Sequence, residues 1–300
     1  MRLAITGGTG FVGSHLIEQA TEAGYRVRAL ARRDQPARAG VTWIAGALDR
    51  PDSLAALVEG SDAVIHVAGV VNGDRAAFAQ GNIAGTDAMV AAACAGDVGR
   101  FIHVSSLAAR EPHLSAYGWS KRESEEPVIA AGGDWTIIRP PAIYGPRDRE
   151  MLDLFRWARR RIVPLPPASR LSLIAVQDLC ALLLACLADP RSANRLYEPD
   201  DGHPGGWAAT DLARAIGRAV GRRVLPLPVP RALLLAGAQA DRVIRRDGAK
   251  LTRDRVAYFC HPDWTATPAA QPPPDLWRAR IDTDDGLADT ARWYRRAGWL

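Results

Sequence analysis

A tyrosine and a lysine stand four residues apart in the stretch SAYGWSKRES, at Tyr117 and Lys121. On a helix, positions i and i+4 lie on one face, so the phenol and the ammonium can point into the same space. An ammonium beside a phenol favours the phenolate form and lowers a pKa that is otherwise about 10. The pair therefore has the chemistry of a general acid/base tyrosine with a lysine partner.

An ordinary turn of a surface helix is the alternative interpretation of this stretch. The chain contains 6 tyrosines, but its lysines are only Lys121 and Lys250, so this spacing seldom arises by chance. Trp119 lies at i+2, where it is expected to face away from the pair and to serve in packing.

Two serines, Ser105 and Ser106, end the apolar stretch FIHVSS shortly before Tyr117. Ligands of open parallel sheets bind outside the carboxyl ends of the strands. A serine hydroxyl at such an end can hydrogen-bond a substrate carbonyl or alcohol oxygen. The alternative is a serine that only caps the following loop.

A glycine-rich turn in AITGGTGFVGSHL follows the first predicted strand and opens the first predicted helix. A tight strand-to-helix turn needs glycine, and the helix N-terminus offers free N–H groups to a pyrophosphate. The pattern predicts a dinucleotide-binding turn rather than a packing turn. The residues assigned to it are Gly7, Thr9, Gly10, Phe11, Val12 and Gly13.

The end of the second strand indicates which nicotinamide dinucleotide is bound. An acidic residue there binds ribose hydroxyls, whereas an arginine accommodates a 2′-phosphate. VRALARRD places Arg32 and Arg33 at this position, with Asp34 as a displaced acid. Guanidinium groups pair well with phosphate, so NADP(H) is the predicted cofactor and NAD(H) the alternative. Leu48 and Asp49 are a candidate adenine-side wall, although Asp49 also suits a helix N-terminus.

The first half of the chain alternates short β-branched runs with longer alanine-rich stretches, which is typical of βαβ units. The predicted strands are LAIT, YRVRAL, VTWIAG, AVIHVA, RFIHVS and WTIIRP, and the predicted helices start near Phe11, Pro51, Arg75 and Ala116. This rhythm predicts an α/β fold, a Rossmann doubly wound parallel sheet.

Proline-rich connections break the rhythm after about Pro140. We predict a dinucleotide-binding Rossmann domain over residues 1–170, to which residues 171–200 return through LSLIAVQDLCALLLACLADP and the strand NRLYEP. A smaller, mainly helical, substrate-side domain is predicted over residues 201–300.

The composition indicates a globular protein with a small-molecule substrate. The hydrophobic fraction is 48%, the charged fraction is 24%, and the net charge is +5. The positive charge is scattered arginine, and clusters such as Arg159, Arg160 and Arg161 are expected to be solvated helix faces, so no nucleic-acid partner is expected.

The longest apolar runs are too short to span a bilayer, and the start MRLAITGG has no charged leader, so we expect a cytoplasmic protein with no membrane partner. The four cysteines are Cys94, Cys180, Cys186 and Cys260, which lack metal-ligand spacing, so reduced thiols and no metal site are expected.

The order of the motifs carries a family resemblance. Along the chain follow Gly7-x-x-Gly10-x-x-Gly13, VIHVAG, GNIAGT, VSS, Tyr117-x-x-x-Lys121 and IIRPPAIYGPRD. Over nearly the whole chain, this order resembles the extended short-chain dehydrogenase/reductase family of epimerase/dehydratase-like proteins. Helix pairs around the tyrosine often form dimer seams in that family, so a homodimer is an option that nothing local in the sequence decides.

The resemblance implies specific roles. Tyr117 would be the acid/base, Lys121 would hold the ribose hydroxyls and lower the tyrosine pKa, and Ser106 would orient the substrate oxygen. The remaining residues that the resemblance implies are Asn82, which places a helix or relays a proton through water, Ala68 and Gly69 beneath the cofactor, and Pro140 and Pro141 beside the nicotinamide.

Departures from the family pattern narrow the reaction. Leu107 and Ala108 follow Ser106 where nucleotide-sugar dehydratases have an acidic pair, so dehydration is not expected. LSLIAVQD lacks the arginine that epimerases place before this element, although Arg170 is adjacent. The predicted function is hydride transfer between NADP(H) and a carbonyl or secondary alcohol. A sugar epimerase and a non-catalytic dinucleotide sensor are the alternatives.

The residues around the predicted cleft favour a hydrophobic substrate. They are Val70, Val71, Trp119 and Tyr144, each of which could instead be core or loop packing.

Overall fold

The computed structural model describes residues 1–167, 169–245 and 252–300, so Lys250 lies outside the described residues. Contacts divide the chain into two compact units. The first unit comprises Met1–Pro140, Val176–Pro199 and Pro268–Arg278. The second unit comprises Pro141–Ala175, Asp200–Thr267 and Ala279–Leu300.

A seven-stranded parallel sheet is the centre of the first unit. Numbered along the chain, its strands are β1 (Arg2–Thr6), β2 (Arg26–Ala31), β3 (Val41–Ala45), β4 (Ala63–His66), β5 (Arg100–Val104), β6 (Asp134–Ile138) and β11 (Arg195–Tyr197). They lie in the order β11-β6-β5-β4-β1-β2-β3, and every neighbouring pair is parallel. The six predicted strands and the returning strand NRLYEP are therefore confirmed.

The strand order reverses between β1 and β4, because β2 and β3 extend the sheet to one side of β1 and β4 to β6 extend it to the other. A doubly wound sheet binds ligands at such a switch point, outside the carboxyl ends of its strands. The glycine turn after β1 and the serines after β5 both lie at this end. The fold class predicted from the sequence is confirmed.

Helices connect the strands of the first unit. They are α1 (Phe11–Glu22), α2 (Pro51–Val58), α3 (Arg75–Phe78), α4 (Gly85–Ala95), α5 (Ala116–Glu123), α6 (Glu125–Ala130) and α8 (Val176–Ala188), with a π-helical turn at Ala79–Ala84 and 3-10 turns at Leu107–Arg110, Pro190–Ser192 and Pro268–Ala270. The four predicted helix starts are confirmed. Leu54, Leu57 and Met89 from α2 and α4 pack on Val64 and Ile137 of the sheet, and all five are buried. Burying one such side chain contributes roughly 1.5–3 kcal/mol.

The second unit combines helices with short strands. Its strands are β7 (Ala142–Tyr144), β8 (Ile162–Leu165), β9 (Arg170–Leu171), β10 (Leu173–Ala175), β12 (Trp207–Ala208), β13 (Leu225–Pro228) and β14 (Asp263–Trp264). Its helices are α7 (Leu152–Arg159), α9 (Ala209–Ala219), α10 (Arg231–Arg245), α11 (Arg253–Phe259) and α12 (Thr283–Arg296). A core containing Phe155, Ile216, Leu287 and Tyr294 joins α7, α9 and α12.

The contact-defined units differ from the predicted domain limits. Residues 141–175 and Asp200 belong to the second unit, and residues 268–278 belong to the first. LSLIAVQDLCALLLACLADP does form a strand and a buried helix, but its strand β10 pairs with β7 instead of joining the central sheet. The domain limits themselves stay a prediction. Among the described residues, no helix combines the length and apolar character that crossing a membrane requires.

Candidate active site

Helix α5 places Tyr117 and Lys121 one turn apart on one face. The helix starts at its N-cap Ser115, whose hydroxyl oxygen accepts a 2.9 Å hydrogen bond from the Gly118 N–H. Tyr117 is half-buried, with its ring centroid 5.8 Å from that of Phe78. The predicted pair therefore lies on a capped helix.

Lys121 reaches from α5 to the carboxyl end of β5. Its Nζ donates a 2.8 Å hydrogen bond to the carbonyl oxygen of Val104, and the side chain is buried. Burial lowers the pKa of Lys121 to about 8, and the Glu125 carboxylate acts in the opposite direction. The ammonium remains charged at neutral pH and keeps two further N–H donors for ligand groups.

Asn82 lies in the π-helical turn and fixes the loop after β4. Its Oδ1 accepts a 2.6 Å hydrogen bond from Val70 N–H, and its Nδ2 donates to Val70 O at 3.0 Å and to Ser120 Oγ at 2.8 Å. This amide therefore holds the Val70 loop against α5.

Gly69 lies beside the same two groups. A Cβ atom at this position would lie 3.1 Å from Asn82 Oδ1 and 3.8 Å from Lys121 Nζ. Contacts of 3.0 to 3.4 Å are tighter than most real Cβ contacts, so a larger residue at position 69 would press against the Asn82 amide. The structure therefore brings Gly69, Asn82 and Lys121 together.

The two serines after β5 have different surroundings. The Ser105 hydroxyl is buried and donates a 2.5 Å hydrogen bond to Glu125 Oε1. Ser106 is partly exposed, and its oxygen accepts a 3.2 Å hydrogen bond from the Ala108 N–H at the start of the Leu107–Arg110 turn. Ser106 thus makes the contact expected of a serine that caps the following loop. Its hydroxyl hydrogen stays available to a second partner.

A buried ion network lies behind these serines. Arg139 binds the Glu125 carboxylate with two hydrogen bonds, of 2.8 Å from Nε and 2.6 Å from Nη2. Arg139 also lies 3.6 Å from Glu198, which in turn lies 3.6 Å from Arg110. Burial by itself would lower the pKa of Arg139, but the two glutamates outweigh it and raise that pKa. The charged pair is therefore retained in the interior and fixes the ends of β6 and β11 relative to α6.

The glycine turn has the shape of a phosphate cradle. Gly7 has a φ of 72°, and a Cβ atom there would lie 2.7 Å from the backbone nitrogen of Ala68. A Cβ on Gly13 would lie 2.1 Å from the carbonyl oxygen of Gly7. Gly10 is the N-cap of α1, and no side chain caps its first N–H groups. The residues present therefore fit a dinucleotide pyrophosphate, which would approach Gly7, Thr9, Gly10, Phe11 and Val12 at the helix N-terminus.

A chain of buried polar groups connects this cradle to Asn82. The Ala68 N–H donates to Thr6 Oγ1 at 3.2 Å, and Thr6 Oγ1 lies 2.8 Å from His66 Nδ1. His66 Nε2 lies 3.1 Å from Thr86 Oγ1, which donates to the Asn82 carbonyl oxygen at 2.6 Å. Because the Thr86 hydroxyl hydrogen is used, His66 donates from Nε2 and accepts at Nδ1. Burial, with a smaller contribution from Lys121, lowers the pKa of His66 to about 3, so the ring is neutral.

His103 on β5 stacks on His66, with ring centroids 5.5 Å apart. Its Nε2 lies 3.0 Å from Ser124 Oγ, and that hydroxyl donates to the Lys121 carbonyl oxygen at 2.8 Å. Nε2 must therefore carry the hydrogen, and Nδ1 is a buried acceptor without a hydrogen-bond partner in the described structure. Burial, and after it Lys121 and His66, lower the pKa of His103 well below its usual value.

The predicted cofactor-specificity residues lie at the surface. Arg32 and Arg33 are exposed directly after β2, next to Asp34. Leu48 is partly buried and packs close to Gly85, where a Cβ would lie 2.7 Å from Leu48 Cδ1. Asp49 is exposed in the turn one residue before Arg50, the N-cap of α2.

Pro140 lies at the carboxyl end of the sheet. Its carbonyl oxygen accepts a 2.9 Å hydrogen bond from the Leu107 N–H, so it is joined to the turn after Ser106. Trp119 stacks under Arg75, whose guanidinium carbon is 3.6 Å from the ring centroid. Tyr144 is 1% exposed in the core of the second unit, so its predicted role in lining a cleft is wrong and the packing alternative holds.

Several residues of this site are absent from the sequence prediction. Gly118 lets α5 approach the turn after Ser106, because a Cβ there would lie 2.7 Å from the Ala108 carbonyl oxygen. Glu125 lies four residues after Lys121, and this spacing is a signal that could have found it. Arg139 directly precedes the two prolines of the RPP motif. Nothing in the sequence pairs Glu125 with Arg139.

Comparisons with known proteins agree with this geometry. A family profile described as NAD(P)H-binding matches residues 7–190, more than half of the chain. A ceramide reductase of Caulobacter vibrioides is 38% identical over 99% of this chain and 96% of its own length. A UDP-glucose 4-epimerase of Vibrio cholerae is 28% identical over 76% of this chain and 78% of its own length. The solved structure of MoeE5 in complex with UDP-glucose and NAD superimposes with a TM-score of 0.77 over 99% of both chains at 20% identity, which shows a shared fold.

The relatives named here are a reductase and an epimerase, which are both enzymes. The matching profile is defined by NAD(P)H binding, and the cradle after β1 fits that ligand. The chain is thus an NAD(P)-dependent enzyme that belongs to the extended short-chain dehydrogenase/reductase family.

Proposed function

We propose that the protein is an NADPH-dependent reductase that converts a ketone on a long-chain lipid of the ceramide class into a secondary alcohol. The arrangement of Tyr117 and Lys121 on α5, against the strand end that carries Ser106, is the observation that supports ketone reduction. The identity of 38% to a ceramide reductase over almost the whole length supports the substrate class.

With its pyrophosphate at the glycine cradle, the cofactor would supply a hydride from its nicotinamide to the carbonyl carbon. The phenol of Tyr117 donates a proton to the carbonyl oxygen, so hydride and proton together give the alcohol. The hydroxyl of Ser106 hydrogen-bonds the same oxygen, since the Ser105 hydroxyl is engaged by Glu125. The Lys121 ammonium favours the phenolate that Tyr117 becomes, and its free N–H groups suit ribose hydroxyls.

The composition of the site favours an apolar substrate over a sugar nucleotide. Leu107 and Ala108 are buried directly after Ser106, where a sugar dehydratase would have acidic residues. Val70 is partly buried and Val71 exposed in the loop that Asn82 holds. Ceramide contains a secondary alcohol, so the corresponding substrate is an oxo-ceramide in which that carbon is a ketone.

The exposed Arg32 and Arg33 support NADPH as the preferred reductant. They follow β2, where a 2′-phosphate would lie, and no ion pair with a described acidic residue engages either of them. The cytoplasmic location and the homodimer stay predictions.

The decisive experiment follows nicotinamide oxidation by the purified full chain. We expect turnover of a short-acyl 3-oxo-ceramide in detergent micelles with NADPH, and at least about tenfold lower kcat/KM with NADH. The double variant Arg32→Ala/Arg33→Ala should remove that preference through a higher KM for NADPH.

A sugar epimerase is the competing function, and the relative from Vibrio cholerae is the observation that favours it. It is tested by incubating the protein with UDP-glucose and separating the nucleotide sugars. Interconversion of UDP-glucose without turnover of any oxo-lipid would refute the proposal.

A further inference from the structure

Exposed apolar side chains are concentrated in three elements of the second unit. Of the ten large hydrophobic side chains that are exposed among the described residues, five lie in β8, β13 and α10. They are Ile162, Leu225, Leu227, Leu233 and Val243, with exposed fractions from 44% to 71%. Clustered exposure of this kind marks an interaction surface more often than scattered single residues do.

The two-stranded sheet of β8 and β13 has one buried and one exposed face. Leu225 pairs in register with Ile162, so their side chains lie on the same face, and Leu227 lies two residues further along β13. All three are exposed, whereas Val163 and Leu165 on the opposite face are buried. The outer face of this small sheet is therefore apolar and open.

Helix α10 begins three residues after β13 and also exposes apolar side chains. Leu233, Ala236, Ala240 and Val243 recur at helical spacing and are all exposed. Ala238 is buried on the other side, and Asp241 lies roughly 120° around the helix from this stripe. We call these four residues, together with Ile162, Leu225 and Leu227, the apolar face.

Six arginines that form no ion pair with a described acidic residue lie in or next to these elements along the chain. They are Arg159, Arg160, Arg161, Arg222, Arg223 and Arg231, all of them exposed. Arg161 precedes β8, and its carbonyl oxygen accepts a 2.8 Å hydrogen bond from the Leu225 N–H. Residues 159–161 and residues 222–223 therefore both lead into the start of the small sheet. Arg160 stacks at 5.4 Å on Trp157. No ion pair joins any of these six to an acidic residue in the described part of the chain, whereas Arg156, Arg214 and Arg218 each have an aspartate partner.

We propose that the apolar face and its arginines dock on the surface of a bilayer that contains anionic phospholipids. An apolar stripe flanked by cations is the pattern of helices that lie in the membrane interface, with apolar residues in the acyl boundary and cations on lipid phosphates. A second copy of the chain is a poorer occupant, because a symmetric contact would bring the same arginines together. The prediction of no membrane partner is based on apolar runs that are too short to span a bilayer. Docking on the membrane surface does not require a run of that length.

The biological meaning of this docking rests on the proposed function, since a long-chain ketone would be taken from the membrane itself. Membrane docking and ketone reduction can nevertheless be measured separately. Reduction of a micellar or short-chain substrate needs no vesicle, and vesicle binding needs no substrate.

The test is flotation of the purified full chain with lipid vesicles. We expect binding to vesicles of equal parts phosphatidylglycerol and phosphatidylcholine, and at least about tenfold weaker binding to phosphatidylcholine alone or in 0.5 M NaCl. Leu227→Asp/Leu233→Asp and Arg222→Glu/Arg223→Glu should each weaken binding at least about tenfold. Ile129→Asp, which changes an exposed apolar residue of the first unit, should leave it unchanged.

Far-UV circular dichroism and kcat/KM on the micellar ketone serve as controls for folding and should be unchanged in all three variants. Three outcomes would overturn the docking proposal. These are no binding to anionic vesicles, binding that both double variants retain, and a stable dimer in light scattering that Leu227→Asp/Leu233→Asp dissociates in the absence of vesicle binding. None of them affects the proposed reductase activity, which the micellar assay measures independently.

Discussion

The Ser105 hydroxyl donates a 2.5 Å hydrogen bond to the buried carboxylate of Glu125. Glu125 is also held by two hydrogen bonds from Arg139, so the backbone that carries both serines is tied to a charged pair in the interior. Glu125 is thereby a positioning residue for Ser106, which it does not itself contact.

Glu125→Gln should weaken this arrangement, because it removes the charge that Arg139 and Ser105 bind. Breaking a buried ion pair costs about 3–5 kcal/mol, and we expect a loss of that size in the free energy of unfolding, measured by urea denaturation. We also expect kcat for the ketone to fall at least about tenfold with little change in the Kd for NADPH. The matched control is Glu126→Gln, whose exposed pair with Arg122 should contribute less than about 1 kcal/mol. Equal effects of the two variants would contradict the positioning role.

Tyr117→Phe should remove the proton donor and leave the fold intact. We expect kcat to fall by about 10²–10⁴-fold, because general acid catalysis contributes that much. The Kd for NADPH, measured by fluorescence titration, should stay within about twofold of the wild-type value. Tyr25→Phe, a change of the same atoms outside α5, should leave both quantities unchanged. Turnover that survives in Tyr117→Phe would exclude the proposed proton transfer.

The buried, neutral ring of His66 should make the folded protein less stable in acid. Burial lowers its pKa from 6.5 to about 3 in the folded state, so between these values the unfolded chain binds the extra proton. The free energy of unfolding therefore falls as the pH drops below 6.5, by about 2 kcal/mol at pH 5 from this residue alone. Urea denaturation at pH 7.5 and pH 5.0 measures this difference.

In His66→Gln, the same pH change should cost about 2 kcal/mol less than in the wild-type chain. His113→Gln is the control, since the His113 side chain is 73% exposed and should leave the pH dependence as it is. A pH dependence that His66→Gln does not reduce would show that folding does not lower the pKa of this ring.

Gly118→Ala should separate α5 from the turn after Ser106. The added Cβ would lie 2.7 Å from the Ala108 carbonyl oxygen, so the helix or the turn must shift. Overpacking of this kind lowers the free energy of unfolding by about 1–3 kcal/mol. We also expect kcat, measured on the folded variant at saturating NADPH, to fall several-fold. Gly99→Ala, where no atom lies within 4 Å of the added methyl group, is the control and should be nearly neutral. Unchanged kcat in Gly118→Ala would show that this close approach is not needed for catalysis.

Local sequence patterns were enough to predict the central sheet, and they named candidate site residues whose roles stay a prediction. The strands alternate with helices at regular spacing, and Gly7 and Gly13 mark the turn after β1 because a Cβ at either position would clash with the backbone. The polar interior could not be predicted in the same way. Arg139 and Glu125 meet because β6 passes next to α6, and Thr6 meets His66 because β1 is the neighbour of β4. Such contacts depend on strand order, which no local pattern specifies.

The same limit explains where the predicted domain limits depart from the contacts. Leu173–Ala175 is a strand by its residue types, but its partner is β7 and not the central sheet. Two segments with the same apolar pattern can thus join different sheets, since pairing is decided by the whole fold.

The π-helical turn at Ala79–Ala84 has a consequence for changes in chain length. A π-turn contains about one residue more than an α-helical turn, and Asn82 reaches Val70 and Ser120 from within it. Deleting a single residue there would let the segment close into a regular helix and remove the wide turn from which Asn82 reaches both partners. The length of this stretch is therefore fixed by the amide in its interior.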